Sequence, residues 1–564
     1  MANIFNSIRL TKPSGSKFDL SYENRLTAKF GQLIPFFHQE VLPGDAFKVG
    51  QKHLIRMAPT LAPLMQQVDI YMHYFFVPNR LVWDDWQDFI SNVKKSPSSS
   101  LPVRPTLQIT IPKGPYNTLQ DIPLELSPGS LYDYFGFPTI NEPPSKDISG
   151  VLTSIDALPF RAYALIYNEY YRDQNLTAEI EFSHDGGPSS ANESLRLMKL
   201  QRRAWIHDYF TSALPWPQYG TNPVILPFGS GEVYYSPSTV GNSLYGNEGT
   251  SDAPKGILGS SGNGGDYLES FASSSDADQG LPSSRNLHLD NSKDLKVRFT
   301  SQTVPSVVDL RRAFKVQEWL ERQAIGGSRY IEQIFSHFGV RSSDARLQRP
   351  EYLCGLKTPL IMSEVQQTGA SKSNEGGVVL EPLGMLAGNA TSASSNFAFS
   401  RRFEEHGQLI GILSVMPKSA YFQGVPRKFS RESWDEYYWP EFANIGEQAI
   451  RNKEIYFDFS ATKSLSNRSD TYSNKEFGYA PRYAEYRYNP NEVHGEFRSS
   501  LRFWHMARSF KNVPMLNTSF ITYDNANVDN VLAVSSDVAH PLYCQIYNQV
   551  EAFRLIPKYA DPHL

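Results

Sequence analysis

Alternating apolar residues near the start of the chain constrain its fold more than any other feature of the sequence. Between residues 68 and 77 every second position is apolar, and a proline then ends the run. A period of two is typical of a strand with one buried face, so this segment predicts a strand followed by a turn. Residues 33–57 contain short apolar runs broken at Pro35 and at residues 43–45, which predicts consecutive strands joined by a tight turn.

Apolar runs in the last third of the chain predict further strands. Residues 409–416 form a continuous apolar run closed by Pro417, and this pattern indicates a short strand that is buried on both faces. Two more strand-like runs lie around residues 520–523 and 542–547. The strand signals therefore concentrate at the two ends of the chain.

Apolar residues recur at helical spacing in three places between these strands. One short helix is expected from Trp83, with acids in its first turn and lysines in its last, and others at about 159–174 and 310–325. After a Gly-Gly pair, a further helix is predicted with Ser328 as its N-cap and Gly339 as its last residue. Its expected buried stripe consists of Ile331, Ile334, Phe335 and Phe338. Together these residues predict a helical hairpin inserted among strands.

Two polar stretches differ in kind from the rest of the chain. Residues 229–294 are dominated by Ser, Gly, Asn and Asp and contain few residues able to form a core, so we expect an exposed insertion. Residues 366–396 are also rich in Ser, Gly and Asn, and they predict a surface loop.

An irregular segment at residues 421–443 is unusually aromatic. Loops longer than ~12–15 residues are uncommon inside compact domains unless they serve a function. The candidate interface residues of this segment are Tyr421, Phe422, Trp434, Tyr437, Tyr438 and Trp439. A neighbouring subunit could cover these rings. The alternative, which stays open for any single ring, is that it covers the core of its own subunit.

The bulk composition excludes several kinds of protein. A formal net charge of −4 and a pI near 6.3 leave no global positive excess for holding a polyanion, so any nucleic-acid contact is expected to be local or assisted. Cys354 and Cys544 have no metal-ligand spacing, and we expect two reduced thiols. The sequence has neither a signal-peptide pattern nor an apolar run of ~20 residues, which predicts a cytosolic protein without membrane insertion.

Motifs for catalysis are absent from the sequence. It contains no phosphate-binding glycine loop, no HExxH, no CxxC and no GxSxG. Adjacent acids at residues 404–405 and 435–436 could suggest a glycosidase, but adjacent side chains point apart. A carbohydrate-active β enzyme and a lectin-like binding module are the alternatives, since both would explain the aromatic residues.

Basic residues gather locally near both ends of the chain. The candidate genome-facing residues are Arg9, Lys12, Lys17, Arg498, Arg502 and Arg508. Aromatic residues lie among those near the C-terminal end, and rings of this kind can stack on exposed bases. The alternative is that these cations lie on solvated faces or form salt bridges.

The ordered motifs of the chain resemble those of one family, the microvirus major capsid proteins, and within it the gokushovirus branch. The segments that carry the resemblance are residues 40–47 (EVLPGDAF), 56–65 (RMAPTLAPLM), 74–89 (YFFVPNRLVWDDWQDF), 167–175 (YNEYYRDQN), 208–220 (DYFTSALPWPQYG), 321–353, 404–417 (EEHGQLIGILSVMP), 437–450 (YYWPEFANIGEQAI) and 477–487 (FGYAPRYAEYR). They run in order along nearly the whole chain.

This resemblance implies a mainly β fold: an eight-stranded antiparallel jelly roll of the viral capsid type, with long loop insertions and a few short helices. Residues 1–564 would form a single capsid domain, with jelly-roll strands near 30–80 and within 400–555. In the gokushovirus branch a variable insertion builds protrusions at the threefold axes. Its place in the chain order corresponds to residues 229–294.

The resemblance also implies a structural function without catalysis, cofactor or metal. Copies of the chain would assemble through pentamers into a T=1 icosahedral shell around a circular single-stranded DNA genome. The implied partners are the chain itself, a small basic DNA-binding virion protein, a minor or pilot virion protein, the genome and a receptor on the bacterial host surface. The expected location is the virion, assembled in the host cytoplasm.

Overall fold

A computed structural model provides the structure of the chain. It describes residues 14–94, 100–111, 124–140, 150–217, 307–366 and 386–559, apart from 458–474, 525–527 and 537, together with short stretches within 231–299 and 368–384. The chain forms two compact units, which we call the sheet unit (Met1–Tyr219 with Glu321–Leu564) and the insertion unit (Gly220–Leu320).

Strands dominate the described residues, and the helices are mostly short. In chain order the strands are β1 Ser16–Asp19, β2 Tyr22–Ala28, β3 Ile34–Val41, β4 Ala46–Thr60, β5 Val68–Pro78, β6 Thr106–Ile111, β7 Gly150–Asp156, β8 Gly231–Tyr235, β9 Tyr245–Gly246, β10 Lys255–Gly256, β11 Leu287–His288, β12 Leu295–Phe299, β13 Glu351–Gln366, β14 Ser371–Lys372, β15 Val379–Glu381, β16 Leu386–Arg402, β17 Gly407–Pro417, β18 Glu447–Arg451, β19 Glu476–Pro481 and β20 Leu542–Arg554. The helices are α1 Trp86–Ile90, α2 Leu131–Tyr134, α3 Leu158–Ile166, α4 Ala191–Met198, α5 Val307–Gly326, α6 Tyr330–Phe338, α7 Asn452–Ile455 and α8 Thr518–Ile521.

One curled antiparallel sheet organises the sheet unit. Nine strands pair in the order β1-β20-β4-β16-β13-β5-β17-β3, with β2 also paired to β20. The sheet curls at β13, because the first part of this strand pairs with β5 and residues 361–366 pair with β16. The result is a half-barrel that is consistent with the predicted jelly roll. The ladder has nine strands rather than eight because the short β1 extends it along β20.

The curled sheet has two arms, β2-β20-β4-β16 and β13-β5-β17-β3, and its main core lies between them. Strand β4 alternates buried and exposed residues along most of its length, and its buried residues include Phe47, Val49 and Ile55. They pack in one cluster with inward residues of β5 and β20, such as Met72 and Ile546. The strands predicted at residues 33–57, 68–77 and 542–547 are confirmed, since β3, β4, β5 and β20 cover these ranges.

Strand β17 is buried on both faces, as its continuous apolar run predicts. Leu413 and Val415 belong to the core between the two arms. Ile410 and Ile412 belong to a second core, which packs the opposite face against α3 and neighbouring segments, including Trp83. The helix predicted at 159–174 corresponds to α3 and to the π-helical turn Tyr167–Tyr171 that continues it.

Two secondary-structure predictions were wrong. Residues 386–396 of the predicted loop 366–396 belong to β16, a long strand that pairs with both β4 and β13. Small buried residues such as Ala390 and Ser392 give little hydrophobic pattern in the sequence. The strand forms because its backbone pairs with two neighbouring strands. The strand expected at 520–523 is the short helix α8, whose N-cap Asn517 accepts a hydrogen bond from the Phe520 amide at 2.9 Å.

Two consecutive helices, α5 and α6, occupy the range of the predicted helical hairpin, but their details differ from the prediction. Helix α6 ends at Gly339 as expected, with a φ of 69° that suits glycine. Its N-cap is Arg329 rather than Ser328. Phe335 and Phe338 are exposed and Ile331 and Ile334 are half-buried, so the stripe expected to be buried is only partly covered in the subunit. The helix expected from Trp83 begins only at Trp86.

The insertion unit contains two small antiparallel ladders, β8-β12 and β10-β9-β11. Most of the predicted insertion 229–294 lies outside the described residues. Across the part of the chain that the structure describes, no helix is long and apolar enough to cross a membrane.

Candidate assembly surface

Residues 421–443, here called the aromatic loop, form an ordered series of short turns. Three 3₁₀ turns, Arg427–Phe429, Trp434–Glu436 and Pro440–Phe442, follow one another along it. Proline precedes the first turn and opens the third, which fixes φ at these points. The loop then leads into β18, which pairs antiparallel with β19.

Five rings of the aromatic loop are exposed on the subunit, including Phe429, which is 74% exposed. Trp434, Tyr437, Tyr438 and Trp439 have exposed fractions between 47% and 67%. Phe422 is half-buried. Exposed clusters of large rings are uncommon on soluble monomers and are typical of surfaces that bind another molecule.

Contacts within the subunit hold these rings in place. The Trp439 Nε1–H donates a hydrogen bond to the Trp434 carbonyl at 3.2 Å, and the Trp434 ring packs on Phe442 with 5.7 Å between centroids. The Tyr438 ring packs edge-on against the buried Tyr483 at 5.2 Å. Because the rings are already ordered, covering them costs little conformational entropy.

Two arginines connect the loop to the turn that follows β19. The Arg431 guanidinium lies 4.4 Å from the centre of the Tyr486 ring and 5.1 Å from that of Tyr437, and it pairs with Glu485 at 3.4 Å. Arg482 pairs with Asp435 at 3.1 Å. The sequence prediction did not include Tyr486 or these arginines, although Tyr486 lies in one of the segments that carry the family resemblance.

A buried ionic cluster connects the aromatic loop to the core of the subunit. Arg427 lies 3.3 Å from Glu454 and 3.8 Å from Glu485, and the Tyr209 hydroxyl donates to Glu454 at 2.9 Å. Burial raises the pKa of the Glu454 carboxyl, and the adjacent Arg427 offsets part of this rise. Breaking one member of such a cluster leaves a buried charge unpaired, so the cluster fixes the loop in one conformation.

Tyr421 belongs to the core of the subunit rather than to its surface. It is 7% exposed and packs against Phe210 with 4.8 Å between ring centres. Its hydroxyl donates to Asp208 at 2.8 Å, and burial raises its pKa well above the ordinary value for tyrosine. We therefore remove Tyr421 from the predicted interface residues, because it has almost no surface to offer a neighbour.

The predicted genome-facing residues are distributed over different environments. Lys17 and Arg498 are exposed, and Arg502 is half-buried with its guanidinium 5.7 Å from the Phe422 ring centre. Arg508 is 5% exposed and lies 4.0 Å from the centre of the Phe520 ring, so it is a residue of the core and is not available to DNA. Arg9 and Lys12 lie outside the described residues.

The adjacent acid pairs have structural partners. Glu405 pairs with Arg80 at 2.7 Å, Asp435 pairs with Arg482, and Glu436 accepts a hydrogen bond from the Glu432 amide at 2.6 Å. These partners stabilise turns rather than form a facing carboxylate couple. Among the described residues, no group of three or more His, Cys, Asp or Glu could hold a metal ion.

Comparison with known proteins identifies the family. The sequence profile of the family described as Capsid protein (F protein) matches residues 7–564. Capsid protein VP1 of Bdellovibrio phage phiMH2K is 36% identical over 539 residues, which cover 94% of this chain and 92% of the relative. Capsid protein VP1 of Chlamydia phage 1 is 33% identical over 616 residues, covering 100% of this chain and 98% of the relative. Capsid protein VP1 of Spiroplasma virus 4 is 29% identical over 577 residues, covering 97% and 95%. The chain therefore belongs to the phage capsid protein (F protein) family of the microviruses, in its gokushovirus-like branch.

Proposed function

We propose that this capsid protein assembles with copies of itself, through pentamers, into a T=1 icosahedral shell that encloses a circular single-stranded DNA genome. Assembly takes place in the cytoplasm of the bacterial host. The role is structural and uses no catalytic residue. Contacts that repeat by rotation close into rings, and rings of one subunit type close into a shell.

The exposed rings of the aromatic loop are the observation that carries this proposal. Trp434, Tyr437, Tyr438 and Trp439 are large, exposed and ordered before any partner binds. Aromatic residues of this kind supply most of the binding energy in protein interfaces, and prior ordering lowers the entropy lost on association. The partner that we assign to this surface is a second copy of the chain.

The charge of the chain indicates that further virion components take part. With a net charge of −4, the subunit alone holds too little positive charge to neutralise a genome. We therefore include a small basic DNA-binding virion protein among the partners, together with a minor or pilot protein.

The assembly surface can be tested with the double variant Trp434→Ala, Trp439→Ala. Truncating central interface rings costs about 2 kcal/mol or more each, so we expect the yield of shells to fall at least about tenfold. Shells are measured by sedimentation and negative-stain electron microscopy of the full-length protein expressed with its virion partners. The matched control is Tyr421→Phe, which changes a buried ring of the same loop and should leave assembly intact.

Normal shells at normal yield from the double variant would contradict the role of the loop. A wild-type protein that stays monomeric under every condition would contradict the proposed function itself. Thermal unfolding of both variants separates a loss of assembly from a loss of folding.

We also propose that the insertion at residues 229–294 contributes to host attachment. Two observations support this proposal. Its composition is polar and poor in core residues, and residues 220–320 form a compact unit separate from the sheet. Recognition sites are commonly placed on surface loops and insertions, because their sequence can change without disturbing the core.

A further inference from the structure

The solvent face of the sheet arm β2-β20-β4-β16 carries a regular row of cations. On β4, Lys48, Lys52 and Arg56 are exposed, whereas the residues between them, such as Val49 and Ile55, are buried in the core. Alternation along the strand therefore places all three cations on the outer face. Within the described residues, no hydrogen bond or ion pair occupies the side chains of Lys52 and Arg56.

Exposed aromatic residues lie directly beside these cations on β20. Tyr543 is 45% exposed and is the register partner of Arg56, and Tyr547 is 39% exposed and is the register partner of Lys52. The same ring-and-cation pair thus occurs twice, four residues apart, which is ~13 Å along the strand. Opposite Gly50, Phe397 on β16 adds a third exposed ring to this face.

The face is positively charged although the whole chain is not. Its cations, placed by strand register, are Lys17, Arg25, Lys48, Lys52, Arg56 and Arg402, and its carboxylates are Asp19, Glu23 and Glu551. Of these cations, Arg25 is paired with Glu23 at 3.0 Å. Although the chain has a net charge of −4, the local excess of positive charge on this face favours an anionic partner.

We propose that this face is a platform for single-stranded DNA. The rings of Tyr543 and Tyr547 stack on bases, and Lys52 and Arg56 hold the adjacent phosphates. This inference rests on the proposed enclosure of a single-stranded genome and names the surface that contacts it. Single strands are bound without sequence preference by alternating aromatic rings and cations, because every base has a face to stack on. A duplex hides these base faces, so the rings favour single strands over duplex DNA.

Fluorescence anisotropy of a labelled oligothymidylate with the full-length subunit tests the platform. In the ring variant Tyr543→Thr, Tyr547→Thr, both substitutions introduce threonine, a β-branched residue that suits an exposed strand position and preserves the fold. We expect its affinity to fall about tenfold or more while the salt dependence stays unchanged. In the cation variant Lys52→Gln, Arg56→Gln, the slope of log affinity against log salt should decrease in magnitude by roughly 1.4.

The matched control removes one cation and one aromatic ring from helix α6 and the residues that follow it. The Arg341 guanidinium lies 4.9 Å from the centre of the exposed Phe335 ring, and the variant Arg341→Gln, Phe335→Leu should bind the oligonucleotide as the wild type does. Wild-type affinity in the ring variant would overturn the proposal. So would equal binding of an abasic oligonucleotide of the same charge, because the face would then hold any polyanion, including an acidic protein segment.

Shells formed by the same variants separate this inference from the proposed function. We expect the ring and cation variants to assemble normally and to contain less DNA per shell than the wild type. Variant shells with a normal DNA content would overturn the platform and leave the shell function standing. Failure of the wild type to form shells would refute the proposed function, and the oligonucleotide affinities would still decide whether the platform exists.

Discussion

Arg508 illustrates how a single residue can be charged, near aromatic rings and still structural. Its guanidinium lies over the Phe520 ring and within 5.0 Å of the centre of the Trp205 ring, and it donates to the Tyr421 hydroxyl at 3.2 Å. The same Tyr421 hydroxyl donates onward to Asp208. These five residues connect segments that are distant in sequence, so Arg508 stabilises the packing of the C-terminal region.

The variant Arg508→Ala is expected to lower the free energy of unfolding by about 2–4 kcal/mol, because it leaves the partners of a buried cation unsatisfied. Urea unfolding of the full-length subunit measures the change. The control Arg498→Ala removes an exposed guanidinium and should change stability by less than about 0.5 kcal/mol. Equal effects of the two variants would show that Arg508 has no special structural role.

The sequence alone did not distinguish Arg508 from Arg498, or Tyr421 from Trp439. Each pair has the same chemistry and a similar local context. Burial of Tyr421 depends on Asp208 and Phe210, more than 200 residues away in the chain. Local spacing carries no signal for such a contact. For this reason the sequence indicates an aromatic segment but does not indicate which of its rings are buried.

At the scale of elements, side-chain patterns predicted the strands that bury apolar residues. Strand β17 could be predicted because both of its faces are buried in a core. Strands β4 and β5 could be predicted because each of them buries at least one face. Strand β16 was missed because its Ser, Ala and Asn residues are typical of loops, whereas its backbone pairs with two neighbours. Sequence patterns predict burial well and backbone pairing poorly.

The tight packing of β17 makes Gly411 sensitive to substitution. A Cβ atom at Gly411 would lie 2.8 Å from the Cβ of Phe37 and 3.0 Å from the ring of Phe36, so Gly411→Val should destabilise the subunit by about 1–3 kcal/mol. The control is Gly50→Ala on β4, where a Cβ would meet other atoms only at 3.6 Å. The urea midpoints of the two variants measure the difference, and a tolerated Gly411→Val would mean that β17 can shift to accommodate the valine.

At the scale of the whole molecule, the order of strands could not be derived from local patterns. Strand β2 pairs with β20, so that Tyr22 lies opposite Asn548 at the other end of the chain. The jelly-roll expectation came from the resemblance to the family, and the pairing order of the ladder is consistent with it. Long-range pairing of this kind leaves no trace in periodicity, although it determines which residues share the solvent face of the sheet.

The separation of the chain into two units predicts how it responds to loss of the insertion. All nine strands of the curled sheet belong to the sheet unit, and residues 240–285 belong to the insertion unit. Replacing residues 240–285 with a short Gly-Ser linker should therefore leave folding and shell assembly near wild type, because long surface insertions contribute little to a core.

The same deletion should abolish adsorption of the assembled particles to host cells, which an adsorption assay with purified particles measures. Particles that assemble and adsorb normally would refute the role of the insertion in attachment. Loss of assembly with an intact thermal transition of the subunit would instead place the insertion among the contacts between subunits, because the folded sheet alone would then be insufficient to close the shell.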